Sequence, residues 1–193
     1  RDKEEAHRPV LMQISGKRIG FLGYYEGGEA PAATTISPGV AKRDILLITS
    51  DMQALRSQDS VDYIVVNVHW GTEKADTPGV WQIEFAHDMI DAGADAVIGH
   101  HPHVLQGIEH YKSGVIVYSL GNLIFGGNSR SSYDTGIFEI QLGEAGVAYR
   151  FIPVRVSDWR ARELQAESAD SLRDYVDYLS SLISQKMSAR EIK

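Results

Sequence analysis

Residues 61–70, VDYIVVNVHW, are an almost unbroken run of β-branched and apolar side chains. Such a run has no polar face to offer to water, so it belongs to a strand covered on both sides, as in the centre of a parallel sheet. A second run of this kind, ADAVIG at 94–99, follows a segment in which Trp81, Phe85, Ala86, Met89 and Ile90 recur at helical spacing over 79–92. Gly93 suits the position just past a helix end, where positive φ is wanted. Strand, helix and strand in this order predict a βαβ unit. With 193 residues, 43% of them hydrophobic, there is material for one real core and not for two, so residues 1–193 are read as a single domain.

The flanks add more elements. KRIGFLGY at 17–24 predicts a strand entered from a turn at Ser15 and Gly16. Residues 26–39, rich in Gly, Ala, Thr and Pro, predict a long loop of the kind that often carries function. Val40, Ile45, Ile48, Met52 and Leu55 predict an amphipathic helix over 40–58. Further on, GVIVYSL (114–120), GIFEIQL (136–142) and VAYRFIPVRV (147–156) follow one another without intervening helices, which predicts antiparallel strands. A last helix over 168–187 sets Leu172, Tyr175, Val176, Leu179, Leu182, Ile183 and Met187 on one face, a stripe that suits core packing.

Four of the seven histidines lie in two places, each at the end of a predicted buried strand. His69 closes the first run, and GHHPH at 99–103 follows the second. In open α/β sheets, ligands bind outside the carboxyl ends of the strands. Pro102 disfavours helix at His101, which predicts an extended His101 with His103, two residues on, facing the same pocket. Neutral imidazoles so placed read as metal ligands in preference to a solvated His-rich surface loop or a fortuitous metal trap. His69 reads equally as a ligand or as a satisfied structural histidine, and His100 faces away from its neighbours. His7, His87 and His110 sit in polar or helical contexts. Asn122, in GNLIFGG, suits a sharp turn and can also offer its amide to a ligand or to the histidines. Arg130, in a loop, reads as solvated, with the option of clamping an anionic substrate.

Composition narrows the chemistry. There is no cysteine, which excludes disulfides and thiolate metal sites; any metal is held by nitrogen and oxygen, which suits zinc, manganese, iron or magnesium. A net charge of −7 and the lack of a Lys/Arg run speak against nucleic acid as a partner. The same charge would repel a polyanion unless a basic pocket or bridging metals offset it. No apolar stretch is long enough to span a bilayer, and no signal peptide is visible. The opening RDKEEAHRP reads like the middle of a longer sequence, with the expectation that an upstream segment exists.

GKRIGFLGY, VVNVHWGTE, AHDMIDAGADAVIGHHPHVLQGIE and VIVYSLGNLIF, in this order between Gly16 and Phe125, resemble the CapA family of bacterial capsule-synthesis proteins. That family, associated with poly-γ-glutamate capsules, is a branch of the calcineurin-like metallophosphoesterases. The resemblance implies part of a four-layer αββα sandwich with mixed sheets, the strands of the C-terminal third mainly antiparallel. It implies His69, His101 and His103 as metal ligands and catalytic residues. It places Glu73 and Gln106 beside the ligands or at the substrate, and Asn122 in the matching YSLGN segment. Leu123 and Gly126 depart from the family pattern. The family's Asp-containing GD motif, NLE segment and NNH segment are absent from this sequence, so the other ligands are expected from a missing N-terminal segment or a separate chain.

Two divalent ions (manganese, iron or zinc) are implied, and with them hydrolysis of a phosphoester or a polymer-linked substrate in capsule or poly-γ-glutamate biosynthesis. The alternative is a non-catalytic envelope subunit that binds and guides an anionic polymer. Either way the resemblance implies the cell envelope, a membrane-associated capsule-synthesis complex, and anchoring through a segment outside this sequence.

Overall fold

The computed structural model describes residues 2–125, 132–143 and 146–191. After a single helical turn, α1 (Lys3–Ala6), come β1 (Val10–Ile14), β2 (Lys17–Tyr25), α2 (Ile45–Ser57), β3 (Tyr63–His69), α3 (Val80–Asp91), β4 (Ala96–His100), β5 (Ile108–Tyr111) and β6 (Gly114–Val117). They are followed by β7 (Ser132–Gly143), β8 (Gly146–Ser157), β9 (Arg160–Glu163) and α4 (Ala166–Glu191). The first six strands form one mixed sheet in the order β1-β2-β3-β4-β6-β5, and the last three form an antiparallel sheet.

β2, β3, β4 and β6 are mutually parallel neighbours, which is the βαβ core the two apolar runs predict. Side-chain parity explains why those runs are apolar at every position. Ile64, Val66, Val68, Val97 and Ile116 meet α2 and α3 through Ile48, Met52, Leu55, Ile83, Ala86 and Met89. The alternate residues Val65, Ala96, Ile98, Val115 and Val117 face the opposite side, where Leu172 and Val176 of α4 and Phe138 and Phe151 of the second sheet cover them. The described residues thus build helix, sheet and sheet layers of a mixed α/β fold. The outward positions of β7, including Ile137, Glu139 and Gln141, are exposed.

Three details differ from the sequence expectation. GVIVYSL is not part of an antiparallel run: β6 lies parallel to β4, with Ala96 opposite Val115 and Ile98 opposite Val117. It pairs antiparallel only with β5, a four-residue strand, IEHY, too short and too polar to be legible. Helix α2 starts at Ile45 and not at Val40, because the Asp44 carboxylate accepts from Leu46 N and Leu47 N, while Val40 N donates to Pro31 O. β1, exposed along its whole length, has no core-facing pattern to betray it. Its hairpin with β2 does turn at Ser15 (φ 50°) and Gly16 (φ 79°), as the sequence predicts.

Helix α4 fixes the loop that leads out of the histidine cluster. A Cβ on Gly107 would stand 2.7 Å from Ser180 Cα and 2.8 Å from Leu179 O, so the chain crosses α4 in direct backbone contact. Ile108 N donates to Ser180 Oγ at 2.9 Å, and Ser180 Oγ donates to Val176 O.

Candidate metal centre

His69 and His100 are the last residues of adjacent parallel strands and stand directly opposite each other, with Tyr25 of β2 opposite His69. Three strand ends therefore meet at one point, which is the place the topology reserves for a ligand. The platform beneath is rigid. Trp70 is fully buried; its N donates to His100 O at 3.0 Å and its indole Nε1 to Tyr118 O at 3.1 Å. Gly99 lies against the same atoms: a Cβ there would sit 2.0 Å from Tyr118 O and 2.5 Å from Trp70 Nε1.

Beyond His100 the chain is not extended, contrary to the expectation from Pro102. His101 has φ 101° and His103 φ 60°, both in the region that L side chains avoid. The chain is tied down at each step: Lys74 N donates to Pro102 O at 2.8 Å, and Gln106 Nε2 donates to Ala75 O at 2.8 Å. These bonds hold the loop of residues 71–76 against the HPH loop and override the local preference. Such positions cost about 1–3 kcal/mol each and cluster at functional sites.

The result brings Glu73, His101 and His103 together, with one ligating atom from each lying within 4.8 Å of the others. The rings of His101 and His103 are 6.1 Å apart, and His69 approaches His101 at 4.5 Å. One carboxylate and two imidazoles are a hard-to-borderline donor set that fits zinc, manganese or iron. His103 is also prepared as a ligand. Its Nδ1 donates to Asn122 Oδ1 at 2.8 Å, and since a carboxamide oxygen only accepts, the proton sits on Nδ1 and the Nε2 lone pair is free. Asn122 therefore does more than make a turn; it is buried and sets the tautomer of His103.

His69 stands beside this group, stacked on Tyr25 with ring centroids 5.0 Å apart. Burial first, and then the neighbouring imidazoles of His101, His100 and His103, hold its pKa below the usual imidazole range. Burial does the same for His100, whose Nε2 lies 3.3 Å from Asn67 Oδ1. Both rings thus take up protons less readily in the folded chain than in an unfolded one, where imidazoles titrate near pH 6.5. The stability they contribute is complete above that pH and is lost as the pH falls from it through the lower folded-state values. We expect the melting temperature to decline below about pH 6.5, and more gently in a His100→Gln variant. An unchanged acid slope in that variant would assign the sensitivity to other groups.

Among the remaining expected residues, Gln106 is fully buried and does not reach the open site. It positions the loop bearing Glu73, and its Oε1 lacks a partner among the described residues. Arg130 lies outside the described residues. Sequence reasoning missed Tyr25, Phe125, whose ring is 4.8 Å from that of His103, and Glu29, which accepts from the Tyr25 hydroxyl. Tyr25 was findable, since it ends the strand that pairs with β3; Glu29 comes from a loop without a period. A cavity of about 790 Å³ opens beside Glu73, His103 and Asn122.

Residues 1–127 match the family model described as bacterial capsule synthesis protein PGA_cap. The chain is 37% identical over 142 residues to the capsule biosynthesis protein CapA of Bacillus anthracis, covering 72% of this chain and 34% of that protein. It is 33% identical over 157 residues to the PGA biosynthesis protein CapA of Bacillus subtilis, covering 80% and 41%. The chain thus spans about a third to two-fifths of the length of these relatives. Among solved structures, the NAD nucleotidase of Haemophilus influenzae aligns with a TM-score of 0.46 at 13% identity, over 94% of this chain and 41% of that one.

Proposed function

Because the chain belongs to the bacterial capsule synthesis protein PGA_cap family, we propose that it carries part of the divalent-metal centre of a hydrolase. The hydrolase acts on a phosphoester or a polymer-linked substrate in capsule or poly-γ-glutamate biosynthesis. The observation that supports this best is the convergence of Glu73, His101 and His103, with His103 locked by Asn122 in the tautomer that presents Nε2. A binding module has no need of such a set.

Bound divalent ions supply a Lewis acid and a hydroxide nucleophile at neutral pH. The chain's own residues do the rest. His101, His103 and Glu73 hold the ions, and Asn122 keeps His103 from turning. His69, stacked on Tyr25 beside His101 and with a lowered pKa that suits a base, would take up the proton released by the attacking water and return it, as imidazolium, to the leaving oxygen. Three ligating side chains are fewer than a two-metal centre takes, so the reading assigns the remaining ligands to another segment or chain of the complete assembly. It places the protein in the cell envelope, in a capsule-synthesis complex; no helix among the described residues is long and apolar enough to cross a membrane. The incomplete ligand set is also what favours the second reading, a non-catalytic subunit that guides an anionic polymer.

Native mass spectrometry of the protein isolated from its own source, paired with hydrolysis assays on 4-nitrophenyl phosphate and a γ-glutamyl peptide, decides between them. The hydrolase reading expects one or two bound divalent ions, and an activity lost to chelator and restored by manganese or zinc. A protein that stays metal-free after metal addition would leave only the polymer-guiding subunit.

A further inference from the structure

The loop of residues 71–79, which carries Glu73, is bound through its backbone and keeps its charged side chains free. Lys74 N donates to Pro102 O, and Gly79 N to Gln82 Oε1 of α3. Gln106 Nε2 donates to Ala75 O, and Lys186 Nζ of α4 donates to Thr77 Oγ1 at 2.6 Å and to Pro78 O at 2.7 Å. These anchors come from four different parts of the fold, so the loop holds its shape before any ligand arrives. Glu73, Lys74 and Asp76 all line the cavity of about 790 Å³ beside His103 and Asn122. That volume is in the range of sites that enclose a whole small ligand, and is more than a metal centre requires.

Lys74 stands out among the three. Its backbone has φ 62°, a region that suits glycine and that L side chains avoid. The bond to Pro102 dictates that angle, so glycine would serve the loop better, and the lysine side chain there calls for another reason. Lys112 offers the comparison. It is a second lysine in the same region, at φ 51°, and its ammonium is paired with Asp91 at the end of α3. Among the described residues no carboxylate pairs with the ammonium of Lys74, although Glu73 and Asp76 lie in the same loop. A compact cation with three donors, on a fixed backbone at the wall of a cavity, is available to an anion from outside.

We propose that Lys74 is a substrate-binding residue: its ammonium pairs an anionic oxygen, phosphoryl or carboxylate, of the molecule that enters the cavity beside Glu73 and His103. That this molecule is the substrate of a hydrolase rests on the reading above. The pairing itself does not, because it needs no metal.

The test is isothermal titration of the intact protein, stripped of metal and freed of chelator, with phenyl phosphate and with a five-residue γ-linked oligoglutamate. Metal uptake and turnover play no part in it, so failure here and failure of the hydrolase reading are told apart. The parent protein is expected to bind at least one probe. Binding of phenyl phosphate alone assigns the anion to a phosphoester, binding of the oligoglutamate alone to a carboxylate polymer, and binding of both to either. Lys74→Gly weakens that binding about tenfold, the loss of one charge-assisted contact. Its melting temperature stays level or rises, because glycine relieves the backbone. Lys74→Arg, which keeps the charge, retains most of the binding. Lys112→Gly, which makes the same backbone change outside the cavity lining, leaves binding unchanged. Binding of neither probe by the parent, undiminished binding by Lys74→Gly, an equal loss in Lys74→Arg, or an equal loss in Lys112→Gly would each overturn the proposal.

Discussion

If the proposed metal centre forms, replacing His101 and His103 together by Ala is expected to abolish its binding of divalent metal. Each imidazole contributes one nitrogen to a group whose ligating atoms lie within 4.8 Å of one another, and removal of both leaves Glu73 as the sole member. A lone exposed carboxylate does not hold a transition metal against water. The expected loss exceeds the 10–100-fold, roughly, that follows from mutating a ligand's hydrogen-bond partner. Asn122→Leu provides that smaller effect for comparison. It removes the acceptor at 2.8 Å and frees His103 to place its proton on Nε2. Competitive titration with a chromophoric chelator measures both variants. Metal affinity retained after the double replacement would sink the ligand assignment and with it the hydrolase reading. The replaced side chains are partly exposed, so the melting temperature of the metal-free protein should move little.

Gly99→Ala has the opposite profile: large in stability, indirect in function. The new methyl would stand 2.0 Å from Tyr118 O and 2.5 Å from Trp70 Nε1, and neither can move alone, because Trp70 Nε1 donates to that carbonyl. Both residues are fully buried. Relief therefore requires β4 to part from the segment after β6, or the indole to give up its acceptor. Overpacking of this kind costs about 1–3 kcal/mol and sometimes more, and the clash with backbone puts Gly99→Ala at the upper end. For a chain of this size that is a drop of roughly 6–12 °C in melting temperature. Because Trp70 N also bonds His100 O, metal affinity should fall in the same variant. A melting temperature within a degree or two of the parent would mean that the strand ends are looser than their hydrogen bonds indicate.

Much of this was legible from the chain. VDYIVVNVHW and ADAVIG announce strands buried on both faces, because a residue that packs on either side of a sheet must be apolar at either parity. The intervening helix and Gly93 set the right crossover length, and the structure gives Gly93 φ 113° just past α3. His69 and the HPH pair were visible as imidazoles at the carboxyl ends of those strands. The grouping of His101 with His103 was reached from a wrong premise, however. Pro102 suggested an extended backbone, whereas the two residues converge through positive φ angles.

The sequence alone determined what short-range periodicity can encode: which segments are strands and helices, which faces are apolar, and that histidines stand at neighbouring strand ends. The tertiary structure decided everything that depends on contacts between distant residues. It turned β6 parallel to β4 and hid β1 and β5 from any pattern. Through Lys74 N to Pro102 O it drew Glu73 to the histidines, and through a bond spanning nineteen residues it gave His103 its tautomer. It set Arg155, one residue in an alternating strand, at the wall of the cavity. The physical reason is the same in each case. A hydrogen bond or an ion pair between remote residues leaves no period in the chain, because its geometry exists only after the sheet and the helices have packed.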